Sequence, residues 1–155
     1  MTILPWTTAT LFAPLEPIPP DYDVDKLIAD LTHTMVATGV VGIAANQVGV
    51  PYRVCLLATA YPTVPAAIIA LINPEILGYA GTLDLEAEGC ASFPDQWLTT
   101  LRHREVYVRS VGRGREWFGP GRARIAQHEI DHLDGITFHE RARRVTYTHL
   151  SLEGS

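Results

Sequence analysis

The chain has 155 residues and a formal net charge of −5, with 47% hydrophobic and 19% charged residues. That length lets one domain bury a sizeable core, and the composition excludes a disordered, collagen-like or coiled-coil protein. The acidic balance gives no support to extended nucleic-acid binding, and no apolar run is long enough to span a membrane.

Residues 1–20 contain Pro5, Pro14, Pro17, Pro19 and Pro20, which have no backbone N–H to give a helix or sheet, so an extended arm is expected. The opening MTILPWTTAT lacks a basic stretch followed by an apolar core, and a cytoplasmic location is the expectation. Val24, Leu27, Ile28, Leu31, Met35 and Val36 then recur at three- and four-residue steps, with Asp23 placed to cap and Gly39 placed to stop an amphipathic helix. Five β-rich segments follow at 52–59, 67–76, 83–90, 105–111 and 115–118, the last two joined by the turn-like GRG at 112–114. The stretch from Arg102 to Arg124 is locally basic and reads as solvated surface.

A second helix is expected from Gly119-Pro120-Gly121 through RARIAQHEIDHLD to Gly135, with Ala126, Ile130 and Leu133 on its apolar side. The tail 136–155 shows no sustained periodicity and ends in polar residues. Together these elements predict one domain over 1–155 in the α+β class, with antiparallel β-sheets packed around a central helix. A monomer is the working expectation.

His128 and His132 stand four residues apart on that helix, so both imidazoles leave one face and can reach one ion. Glu129 is turned about 100° from His128 around the axis, which suits a proton carrier better than a ligand. A catalytic metal keeps three protein ligands and an open position, so a third ligand is needed. His33, His103, His139, His149, the carboxylates and the cysteines are all open to it; Cys90, in EGCAS, is the best candidate because thiolate binds such metals strongly. Cys55, in the apolar run RVCLL, reads as a buried strand residue. In GVVGIAANQVG, from Gly39 to Gly49, Gly42, Ala44 and Ala45 allow close backbone approach, and Gln47 offers an amide donor for an oxyanion.

These three segments, in this order, resemble the signature motifs of the peptide deformylases. G-x-G-x-A-A-x-Q is matched by VVGIAANQ at Val40 to Gln47, E-G-C-x-S by Glu88 to Ser92, and Q-H-E-x-D-H by Gln127 to His132; NPEI at 73–76 and Arg102 extend the likeness. The resemblance implies removal of the N-formyl group from the initiator methionine of nascent peptides, with release of formate. It implies one divalent ion, Fe2+ by preference and Zn2+, Ni2+ or Co2+ as substitutes, held by Cys90, His128 and His132. It further implies Glu129 as the acid/base residue, Gln47 and the backbone N–H of Ala91 as oxyanion donors, and Val41, Gly42, Glu88, Arg124 and Ile125 around the substrate.

The chain departs from that pattern at several places. Val40 replaces the first glycine of the first motif, Ala91 a common leucine, and Trp97 a basic residue near the substrate backbone. Arg124, one turn before His128, stands where an apolar residue usually lines the methionine pocket, and Gly121 replaces a bulkier residue there. Arg124 either enters that pocket and changes first-residue preference or bends to solvent along its stem. The short tail does not suggest a long basic helix for docking on the ribosome. Two alternatives therefore stand beside the deformylase reading: a hydrolase of a specialised formylated peptide or metabolite, and a noncatalytic metal-stabilised binding protein. The second is disfavoured by Glu129, which a structural site does not need. A zinc peptidase is disfavoured by Cys90.

Overall fold

A computed structural model describes residues 1–59 and 67–142. Helix α1 (Val24–Thr38) begins where expected: Asp23 accepts a hydrogen bond from the Lys26 backbone N–H at 3.0 Å, and Gly39, at φ 70°, closes the other end by donating to the Met35 carbonyl. Only a residue that tolerates positive φ ends a helix this way.

Strands β1 (Gly42–Ala44), β2 (Val54–Ala58) and β3 (Ile68–Ile72) form one antiparallel sheet in that order. Every residue of β2 is buried. Alternation explains why: Val54, Leu56 and Ala58 join Leu27, Leu31 and Met35 of α1, whereas Cys55 and Leu57 point to the opposite core. Cys55 is thus the buried strand residue expected of it.

The second sheet is made of β4 (Glu75–Cys90), β5 (Phe93–Ser110) and β6 (Gly114–Phe118), again antiparallel. Helix α2 (Arg122–Leu133) places Ala123, Ala126, Ile130 and Leu133 in one core with Cys55, Leu57 and Leu71 of the first sheet and Val106, Val108 and Phe118 of the second. The central helix and the α+β class are as expected.

Three boundaries differ from the sequence reading. The run 67–76 is two strands, because Asn73 takes φ 47° and ends β3 before Pro74. The segments 83–90 and 105–111 are parts of strands twice as long, and 91–104, unassigned from sequence, carries the Ala91–Ser92 turn and most of β5. The arm 1–20 is irregular apart from a short 3-10 turn at Ala9–Phe12 and an isolated bridge from Glu16 to Tyr52, and it is packed: Leu11 is fully buried and Leu15 belongs to the central core. Its backbone donors find acceptors elsewhere, Leu4 on Gln47, Trp6 on Ser92 and Leu15 on Leu133. In the tail, 138–142 are helical, and the expectation for 143–155 lies outside the described residues.

Candidate metal centre

Strand β4 ends at Cys90, Ala91 and Ser92 make the turn, and Phe93 opposite Cys90 starts β5. This tip lies against α2. The imidazoles of His128 and His132, one turn apart, have ring centroids 4.9 Å apart, and His132 Nε2 stands 3.3 Å from Cys90 Sγ. One donor atom from each of Cys90, His128 and His132 lies within 4.8 Å of the others. The structure therefore gathers Cys90 to the two histidines. Of the other candidates, His139 bonds Gln96, His103 stacks on Tyr79, and His149 lies outside the described residues.

His128 Nδ1 faces Glu88 Oε2 at 2.9 Å, which leaves Nε2 toward Cys90. A carboxylate behind a histidine fixes its tautomer and orientation for metal binding. Burial opposes charge on His128, but its contacts with Cys90 and Glu88 raise it to about 10; burial and the neighbouring His128 keep His132 neutral. Glu88 resists ionisation through burial, and hydrogen bonds from His128 and Arg102 nevertheless pull it well below the usual carboxylate range.

Glu129 is buried, its Oε2 has no hydrogen-bond partner, and its Oε1 lies so close to Gly42 that an added Cβ would sit 2.4 Å away. Burial pushes its carboxyl up to about 7. A group balanced near neutrality can both take and return a proton. Gln47 uses Oε1 to accept from the Ala44 N–H at 2.9 Å and turns Nε2 toward Ser92 Oγ at 3.2 Å and Cys90 Sγ at 3.6 Å.

These groups open on a cleft of about 560 Å³ whose walls include Val41, Gly42, Gln47, Ala91, Trp97, Gly121, Ile125, His128 and Glu129. Glu88 lines it too, but its carboxylate is turned into the wall and bonded to Arg102, Arg124 and His128. Arg124 lines the cleft as well, with its guanidinium drawn into the wall. Its guanidinium meets Glu88, Thr100, the Asp84 carbonyl and Glu86.

The donor set fits a divalent ion: a thiol and two imidazoles converge on one point, one imidazole has a carboxylate behind it, and an unpartnered carboxylate oxygen lies buried beside them. Sequence reasoning did not assign roles to the support behind this set. Arg102 forks onto Glu88 at 2.6 and 3.0 Å and reaches Asp131 Oδ2 at 2.7 Å; Asp131 in turn accepts from Arg141. Asn46 Nδ2 donates to the His132 carbonyl at 2.8 Å, and Gln127 ties α2 to the His103 backbone. Asp131 and Asn46 lie within the motif segments, which was the available signal.

The family model described as polypeptide deformylase matches residues 1–147. A peptide deformylase of Syntrophobacter fumaroxidans is 40% identical over 125 residues, covering 78% of this chain and 73% of its own. Peptide deformylase 2 of Prochlorococcus marinus is 35% identical over 125 residues, and this chain spans 62% of that relative's length. Among solved structures, the Met-Ala-Ser-bound class I type b peptide deformylase of Acinetobacter baumannii superposes with a TM-score of 0.81 at 32% identity, covering 91% of this chain and 97% of that one. The peptide deformylase of Thermotoga maritima gives 0.82 at 30% identity, covering 90% and 95%.

Proposed function

Because the chain belongs to the polypeptide deformylase family, we propose that its cleft hydrolyses the N-formyl group of formyl-methionyl peptides, releasing formate and a free amino terminus. The observation that carries this reading is the placement of a buried, unpartnered Glu129 oxygen beside the converging donors of Cys90, His128 and His132.

Cys90, His128 and His132 would hold one divalent ion, ferrous by preference with zinc, nickel or cobalt as substitutes, as suits a mixed thiolate and imidazole set. When bound, such an ion lowers the pKa of a water and polarises a carbonyl oxygen. The chain's own groups do the rest. Val41 and Gly42 offer an open backbone edge along the cleft, where the peptide would lie with its first side chain toward Ile125. Gln47 Nε2 and the Ala91 N–H would donate to the formyl oxygen as negative charge develops there, each such donor lowering the barrier by about 3 kcal/mol. Glu129 takes the proton of the water that adds to the formyl carbon. It returns the proton to the amine nitrogen as the C–N bond breaks, so formate leaves and Glu129 is again ionised.

The partner is thus the formylated peptide itself, and the setting the cytoplasm, where translation supplies it. Among the described residues no helix is long and apolar enough to cross a membrane. The test is formate release from formyl-Met-Ala-Ser by anaerobically prepared, iron-loaded protein beside a Glu129→Ala control, with metal content measured on both. Release that the control loses by at least about 100-fold supports the proposal. No release from folded, fully metallated protein overturns it.

A further inference from the structure

Arg124 lies four residues before His128, on the same face of α2, and its side chain is 13% exposed. It lines the cleft, but its guanidinium is engaged by the wall. Its Nη1 donates to Glu88 Oε1 at 2.7 Å and to Thr100 Oγ1 at 2.9 Å, its Nη2 to the Asp84 carbonyl at 2.7 Å, and its Nε stands 3.3 Å from Glu86. One guanidinium thus ties α2 to three residues of β4 and one of β5.

The contact with Glu88 matters most. Glu88 Oε1 receives Arg124 and Arg102, whereas Oε2 receives Arg102 and His128 Nδ1. Arg102 gives Nε and Nη2 to the two oxygens of Glu88 and its remaining Nη1 to Asp131. Arg124 supplies the second donor on Oε1, on the side away from the imidazole, and a carboxylate fixed on one oxygen cannot swing the other away from His128. A lysine could not do the same, since a single ammonium does not span acceptors as a planar fork does.

We infer that Arg124 is a positioning residue for the metal ligand His128: with Arg102 it locks the Glu88 carboxylate that orients the His128 imidazole, and it braces the β4–β5 wall against α2. The inference rests on Cys90, His128 and His132 being the metal set, but not on the substrate.

The experiment is titration of the metal-free protein with Co2+ against a chromophoric chelator, with the visible Co2+ spectrum recorded, for wild type, Arg124→Leu and Arg124→Lys. Loss of an outer partner of this kind costs about 10- to 100-fold in metal affinity. Arg124→Leu is expected to bind Co2+ at least about 10-fold more weakly and with a shifted spectrum, and Arg124→Lys to fall between. Affinity within twofold of wild type and an unchanged spectrum in Arg124→Leu would overturn the inference, more so if its KM for formyl-methionyl peptides changed instead. Should Arg124→Leu not fold, Arg124→Lys decides: weakened binding supports the inference and wild-type binding overturns it. Wild-type protein that binds Co2+ but releases no formate would count against the proposed activity and leave this result readable.

Discussion

Glu129 lies against Gly42 so closely that a Cβ built on the glycine would meet Glu129 Oε1 at 2.4 Å and the side-chain carbons at 2.9 Å. The missing Cβ at Gly42 leaves room for the carboxylate of Glu129, the proposed proton carrier. Gly42→Ala must push the carboxylate aside, and because neither residue is a proposed ligand, metal content should be retained. We expect kcat to fall by about 100-fold, the usual contribution of a positioned acid/base group, while Co2+ affinity stays near wild type. Wild-type turnover by Gly42→Ala would show that Glu129 need not sit where it does.

Arg102 is buried and bonds two buried carboxylates, Glu88 and Asp131. Removing the cation takes a partner from each, although Arg124 and His128 still face Glu88 and Arg141 still faces Asp131, so the loss is about 3 kcal/mol, the lower end for a buried pair broken on one side. For a chain of this size Arg102→Met should lower the Tm of the metal-free protein by more than about 6 °C. A thermal melt within 2 °C of wild type, roughly half a kcal/mol, would contradict that placement of charge.

The two helices and the buried strand β2 were legible because caps, periodicity and uninterrupted apolar residues are local signals. The hairpin of β4 and β5 was legible only in parts. Its strands expose Leu85, Trp97 and their charged neighbours, so the pattern over 91–104 carries no clean alternation; pairing across the hairpin, not local propensity, makes it a strand. The arm's prolines do prevent regular structure, and its donors are satisfied by distant acceptors at Gln47, Pro51, Asn73, Ser92 and Leu133, which no local pattern announces. At the site, the residues that gather into a metal-capable group were legible in the motifs, whereas the partners of Arg124 were not, since Asp84, Glu86, Glu88 and Thr100 meet it only through the fold.

Gln47 and Ser92 lie within motif segments, and Leu133 directly follows the third. The Leu4 N–H donates to the Gln47 carbonyl at 2.7 Å, Trp6 to Ser92 at 3.0 Å and Leu15 to Leu133 at 2.8 Å. Deleting residues 1–7 removes the first two bonds, each contributing about 1 kcal/mol, and frees the backbone that carries Gln47 and the Ala91–Ser92 turn. The expected outcome is a Tm lower by about 5 °C together with a kcat loss that added metal does not restore. Full activity after deletion would show that the arm is covering and not support.

With four acceptors around its guanidinium, Arg124 has no free charge to offer an acidic first side chain. Wild type should therefore prefer formyl-methionyl over formyl-aspartyl peptides in kcat/KM, and Arg124→Leu should rank them in the same order. A preference for the aspartyl peptide that vanishes in Arg124→Leu would put the arginine back in the pocket.

With His128 raised, an ion entering the metal-free site should displace a proton. His128 is raised from its ordinary 6.5 to about 10; burial works against this, and the contacts with Cys90 and Glu88 prevail. A raised value means that this interaction stabilises the metal-free fold fully below about 6.5 and is lost as pH climbs through about 10. Since a ligand imidazole must be neutral, ion binding at pH 7 should release at least one proton, and apparent affinity should rise with pH toward 10. Calorimetric titration with Co2+ in two buffers of different ionisation enthalpy measures that proton directly. Heats independent of the buffer would mean that His128 is already neutral before the metal arrives, and that Glu88 orients it without holding its charge.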